Sequence, residues 1–164
     1  MNVKFEDHSE EVLREFRAAC LRALERCGEQ AEGYAKDLTP VDTGNLRNSI
    51  THQVDEGESA VYIGTNAEYA PYVELGTGKY ATQGGGRPGW WVYVEGSERK
   101  RKFSSSMKIY TKGEAAQVVA ILRSKGLDAH MTEGQEAQPF LKPAVADHAQ
   151  TYRNIIEDEL KNGE

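Results

Sequence analysis

The residues with the best claim to chemistry are the run Gly76-Thr-Gly-Lys79, four histidines and two cysteines. A phosphate-binding loop of the Gly-Lys type needs a glycine five residues before its second glycine and a Ser or Thr after the lysine. Here those positions hold Val73 and Tyr80, so the match fails at both ends. A dinucleotide fingerprint fails as well, because no further glycine spacing follows Gly78 and no buried parallel strand precedes it. His8, His52, His130 and His148 fall in a tail, a strand, a loop and a helix, without a second ligand at i+4. They read as solvated or internally satisfied singletons, and the expectation is no metal and no cofactor. Cys20 and Cys27 lie seven residues apart in a helical pattern, roughly 10.5 Å along the axis, too far for a bridge and expected as two buried thiols. No serine sits in a nucleophile elbow, and the carboxylates fall mostly on helix faces where solvation accounts for them. No catalytic site is specified, and the protein is expected not to be an enzyme.

The basic run Arg99, Lys100, Arg101 and Lys102 stands beside Phe103 and near Trp90 and Trp91. Charge next to aromatic rings can track a nucleic-acid backbone, whereas the plain reading is a solvated hairpin tip. Against duplex coating as a main task stand 26 acidic against 20 basic residues and a net charge of -6. A nucleic-acid-binding regulator using residues 99–102 is the alternative function. Mean hydropathy is -0.66, no stretch suits a membrane span, and the first residues lack the layout of a signal peptide. The expectation is a soluble protein of the cytoplasm.

The elements that must position these residues follow from periodicity. Val12, Phe16, Ala19, Cys20, Ala23, Leu24, Cys27, Ala31 and Tyr34 recur at three- and four-residue steps, which predicts a long helix from about Glu10 to Leu38. Asp7 or Ser9 caps its start, Pro40 ends it, and Gly28 and Gly33 mark a middle that tertiary packing must support. Residues 50–54 and 59–64 read as a hairpin, and 90–94 with 103–110 as a second one with a basic tip. A short helix is predicted over Glu114–Lys125. A final helix runs from Pro143 to about Lys161 with a stripe of Val145, His148 or Ala149, Tyr152, Ile155, Ile156 and Leu160. The fold class expected is α+β, with long N-terminal and C-terminal helices packed on a small, mainly antiparallel sheet and with long loops.

Three motifs then stand in order: TPVDTGNLRNSI after the long helix, YAPYVELGTG, and QPFLKPAVADHAQTY opening the last helix. Together, from about residue 10 to 160, they resemble the tailed-bacteriophage neck and tail-completion family, the head-tail joining or tail-component proteins of siphophages and prophages. The resemblance implies a structural virion protein forming a homo-oligomeric ring at the head-tail junction, with subunits able to wait as monomers. Its implied partners are head-completion or connector proteins, tail-terminator or tail-tube proteins, and genomic DNA in passing. Its implied location is the virion neck, after assembly in the host cytoplasm, with no membrane partner. Carried over, the first motif falls on Val41, Asp42, Thr43, Gly44, Leu46 and Arg47. The second falls on Tyr69, Ala70, Tyr72, Val73, Glu74, Gly76 and Thr77, and the third on Pro139, Phe140, Leu141, Pro143 and Ala144. Physically these read as architecture: glycines for tight turns, aromatic residues anchoring loops to the core, prolines setting direction. The expected organisation is one domain over 1–164, with a mobile loop at about 76–89, including Gly84–Gly86, and a basic hairpin tip at about 95–102 that reaches DNA or a partner. Both loops are expected to be dispensable for folding.

Overall fold

A computed structural model describes residues 7–95 and 108–161. Helices and two small antiparallel sheets are combined, as the α+β expectation requires. The chain divides into two compact units, Met1–Ala70 with Pro139–Glu164, and Pro71–Gln138.

The first unit is organised by α1, Ser9–Leu38. Asp7 starts it by accepting the Ser9 N–H at 2.9 Å through Oδ1, which satisfies one amide that no helical carbonyl can reach. At the other end Thr39 is already extended, as a residue before proline must be, and its Oγ1 donates to the Ala35 carbonyl at 2.6 Å. The buried side of α1 is made of small residues: Ala19, Ala23, Cys27, Gly28, Ala31 and Ala35. Their four-residue spacing lines one face, and their size lets neighbouring backbones come close.

Onto that face fold a hairpin and the C-terminal helices. Strands β1 (Ile50–Asp55) and β2 (Ala60–Thr65) pair from Ile50 with Thr65 to Asp55 with Ala60, close to the predicted bounds. Asp55 Oδ1 accepts the N–H groups of Gly57 and Glu58 at 2.9 and 3.0 Å, closing the turn. At Gly28 a Cβ would stand 2.4 Å from His52 Cδ2 and 2.8 Å from Val61 Cγ2, so the hairpin occupies the space of a side chain. At Gly33 a Cβ would meet nothing within 4 Å. The loss of helicity at Gly28 therefore makes room for the sheet, while that at Gly33 has no such return.

The last predicted helix is two: α5 (Leu141–Ala146) and α6 (Ala149–Lys161), separated at Asp147 and His148. Pro143 is the third residue of α5 rather than the first. The reason for tolerance is the same, since amides of the first turn have no helical acceptor. Phe140 is fully buried just before α5. Tyr152 donates from its hydroxyl to the Ala144 carbonyl at 2.5 Å, and its own carbonyl lies 3.7 Å from the Cys27 thiol. Arg22 and Arg26 of α1 both reach Glu159 of α6. Two expectations change here. Val12 and Phe16 do not join the buried stripe: among the described residues of the first unit no element covers the first turns of α1, and Phe16 stays 55% exposed. Only Cys27 is buried, whereas Cys20 sits at the edge of the covered face.

In the second unit, β3 (Trp91–Val94) pairs with β4 (Ala129–Thr132), joining Trp91 to Thr132 and Val94 to Ala129. The expected partner of β3 was 103–110. Among the described residues that pairing is reduced to one bridge between Trp90 and Tyr110. Between β3 and β4 runs α4 (Lys112–Ser124), begun by a capping box in which Thr111 and Glu114 satisfy each other's backbone amides. His130 therefore lies on a strand, not in the expected loop.

Two pairs of substitutions probe this packing by urea or thermal unfolding. Gly28→Ala should destabilise the chain by about 1–3 kcal/mol through overpacking, whereas Gly33→Ala should stabilise it by roughly 0.5–1 kcal/mol. Phe140→Ala should cost about 3–5 kcal/mol. The half-buried Leu141 should cost less when truncated, and equal effects of either pair would contradict this packing.

Candidate functional site

The motif residues are placed by both units. At the corner after α1, Gly44 has φ 81°, the left-handed conformation that favours glycine. It opens the four-residue helix α2, Asn45–Asn48, which turns Leu46 into the core. Thr43 supplies the side-chain acceptor, with Oγ1 3.4 Å from the Asn45 nitrogen, while Asp42 is exposed. Pro139 and Phe140 enter α5 as described. Tyr69 and Tyr72 correct the reading of these rings as core anchors: they are 46% and 45% exposed. The chain turns at Ala67–Ala70 so that Ala70, not the ring beside it, takes the buried position.

In the second unit the segment after α3 (Ala70–Leu75) is built into a backbone lattice. Thr77 N–H donates to the Gln135 carbonyl and Thr77 Oγ1 accepts from Gln135 N–H, both at 2.9 Å. Lys79 N–H donates to the Glu133 carbonyl at 3.0 Å, and Thr82 N–H returns to the Leu75 carbonyl at 2.9 Å. Such closeness needs glycine. A Cβ on Gly78 would stand 2.1 Å from the Glu133 oxygen, and one on Gly76 2.6 Å from the Tyr80 oxygen. Lys79 is committed to Glu133, Nζ to Oε1 at 3.1 Å, and that partner raises its pKa. The Glu133 carboxylate also accepts from the Tyr80 hydroxyl at 3.2 Å. The lysine thus serves an internal ion pair rather than a phosphate.

Beside this lattice lies a cleft of about 550 Å³, lined by Pro71, Tyr72, Leu75 and Trp91 with the glycine-rich run 84–86. Arg87 stacks its guanidinium over Trp91, 5.6 Å from the ring centroid. Gly86 is part of the packing, since a Cβ there would stand 1.9 Å from the Gly78 oxygen. At Gly84 and Gly85, by contrast, a Cβ would meet nothing within 4 Å. The run Arg99, Lys100, Arg101 and Lys102 lies outside the described residues.

One polar cluster was not visible as such in the sequence. Glu32 Oε2 accepts both from the His52 backbone N–H at 3.1 Å and from its Nδ1 at 2.6 Å. His52 Nε2 lies 3.2 Å from Glu25, and Lys36 pairs with Glu32 from the next turn of α1. Lys36 and His52 together hold the Glu32 carboxyl below its ordinary value of 4.5. The bond to Glu32 raises His52 above 6.5 against the opposing effect of burial. This geometry clamps β1 to α1. The Glu32-Lys36 spacing is legible as a helix pair, but only the hairpin brings His52 to it.

Residues 4–76 match a family model described as "Bacteriophage HK97-gp10, putative tail-component". No curated protein and no solved structure matches the chain. The match runs through α1, α2, the hairpin and α3, so it contains the first motif and the second up to Gly76. Over that segment the resemblance is borne out as far as a phage tail-component family. Among the described residues no helix is long and apolar enough to cross a membrane.

The clamp sets a pH dependence. His52, with its folded pKa raised, contributes stability that is complete below pH 6.5 and is lost as pH rises through the folded value. Glu32, with its pKa lowered, contributes stability present above pH 4.5 and lost as pH falls through the folded value. The stability difference between the wild type and His52→Gln should therefore be largest between pH 4.5 and 6.5 and shrink on either side. A difference constant from pH 4 to 9 in urea titrations would contradict it.

Proposed function

We propose that this protein is a structural component of a tailed-phage or prophage virion, a non-catalytic subunit that assembles as a ring at the head-tail junction. The family match over residues 4–76 carries this reading. Its partners on this reading are further copies of itself, a head-completion or connector protein on one side and a tail-terminator or tail-tube protein on the other. It acts in the virion neck, with DNA passing through the ring.

Surface chemistry supports it. Val12, Leu13 and Phe16 project from consecutive turns of α1 and are each more than half exposed. An isolated subunit gains nothing from three large apolar groups on one uncovered helix end, whereas an assembling one gains burial when a neighbour covers them. The charged residues Glu10, Glu11, Arg14 and Arg17 surround them and keep the free chain soluble. A closed ring uses two different patches that meet head to tail, which asks for no catalytic group.

The test is complementation of a phage lacking the gene, with particles scored by electron microscopy. A Leu13→Glu, Phe16→Glu double variant should fold normally by circular dichroism, because neither side chain is in the core. It should nonetheless yield filled heads and separate tails, with titre at the level of the phage without the gene. Normal titre from this variant would remove α1's exposed face from assembly, and normal particles without any copy of the gene would overturn the virion role.

A further inference from the structure

We propose a divalent transition-metal site at the end of the β3–β4 ladder, formed by His130, Asp128 and Glu95, with zinc the ion it fits best. One nitrogen and two carboxylate oxygens converge there, all within 4.8 Å of one another. His130 Nε2 lies 2.9 Å from Asp128 Oδ1 and 3.4 Å from Glu95 Oε2. Donors bound to one ion at about 2.0–2.2 Å stand roughly 3–4 Å apart, so the two spacings from His130 already suit a shared ion.

The nitrogen itself points to a ligand beyond the cluster. The His130 side chain is 34% exposed but its Nε2 is itself shielded, and neither carboxylate near it is aligned for a hydrogen bond. The contacts satisfy distance but not direction, as expected where three donors face a common point rather than one another. Charge leads the same way. An imidazolium can neutralise one of the two carboxylates, whereas a divalent ion neutralises both and takes the neutral imidazole as its third ligand. A mixed nitrogen and oxygen set with water completing the shell suits zinc better than calcium or magnesium, which prefer oxygen alone.

The scaffold holds these groups in place. Glu95 N–H donates to the Asp128 carbonyl at 2.8 Å, fixing the two acidic residues across the ladder. Tyr93, paired with His130 in register, stacks on its ring at 5.4 Å between centroids. Arg123 of α4 donates Nε–H to the Ala129 carbonyl between Asp128 and His130. An ion here would also compensate for a weak core. The buried apolar residues described in Pro71–Gln138 are Ala115, Val119 and Ala129, and units this small gain most from a staple.

Calorimetric titration of the full chain with zinc chloride, and separately with magnesium chloride, tests the site. The expected result is one zinc ion per chain, no comparable magnesium binding, and a thermal midpoint raised by zinc. His130→Ala and Asp128→Asn should each weaken zinc binding at least about tenfold, while folding is checked by circular dichroism. Glu95→Gln changes an exposed side chain that the fold does not need, and should also weaken binding. Cys20→Ser with Cys27→Ser should leave the affinity unchanged. Absence of saturable zinc binding, or binding that survives both Glu95→Gln and His130→Ala while the cysteine variant loses it, would overturn the site.

Discussion

Close approach to one face of α1 is the constraint on which the first unit depends. Ala19, Ala23, Cys27, Gly28, Ala31 and Ala35 leave almost no side chain between the helix and what covers it. At Gly28 the hairpin fills the volume that a Cβ would take. Small residues bury little apolar area each, so this face contributes through fit and dispersion between nearby backbones more than through hydrophobic transfer. Large buried groups are correspondingly few. Leu46, Ile50 and Phe140 close the edges of the packed face, and a polar clamp from Glu32 to His52 fixes the hairpin's register against the helix.

The same sequence choices divide α1 into a covered and an exposed length. From Ala19 onward its small residues accept the chain's own hairpin and C-terminal helices. Before Ala19 its large apolar residues Val12, Leu13 and Phe16 stay more than half exposed among the described residues. A helix of 30 residues extends about 45 Å, which is more than α6 with its 13 residues can accompany. On the assembly role proposed for the protein, these exposed outer turns are the surface that a partner would cover.

Local signals in the sequence were good guides where short-range chemistry decides the outcome. The end of α1 at Pro40, the first hairpin, the corner at Gly44 and the burial of Phe140 all follow from residue types a few positions apart. Long-range pairing was not legible in this way. The β3–β4 ladder joins residues on either side of α4, so neither strand's pattern names the other. That pairing also brings Glu95 and Asp128 to His130, which is why a histidine that reads as a singleton becomes part of a cluster. Tyr69 and Tyr72 stand outside the core because an aromatic ring near a turn can face either way, and the small Ala70 takes the inner position. Val12 and Phe16 share the period of the buried stripe, but period alone cannot say how far along a helix its neighbours reach.

Hydrogen–deuterium exchange along α1, measured on the free chain and on assembled particles, tests the central claim that the helix serves the fold in one part and assembly in the other. Amides from Ala19 to Ala35 should be protected in both states. Those from Val12 to Ala18 should exchange faster in the free chain and become protected only in the particle. Uniform protection of α1 in the free chain, or no change on assembly, would contradict the account.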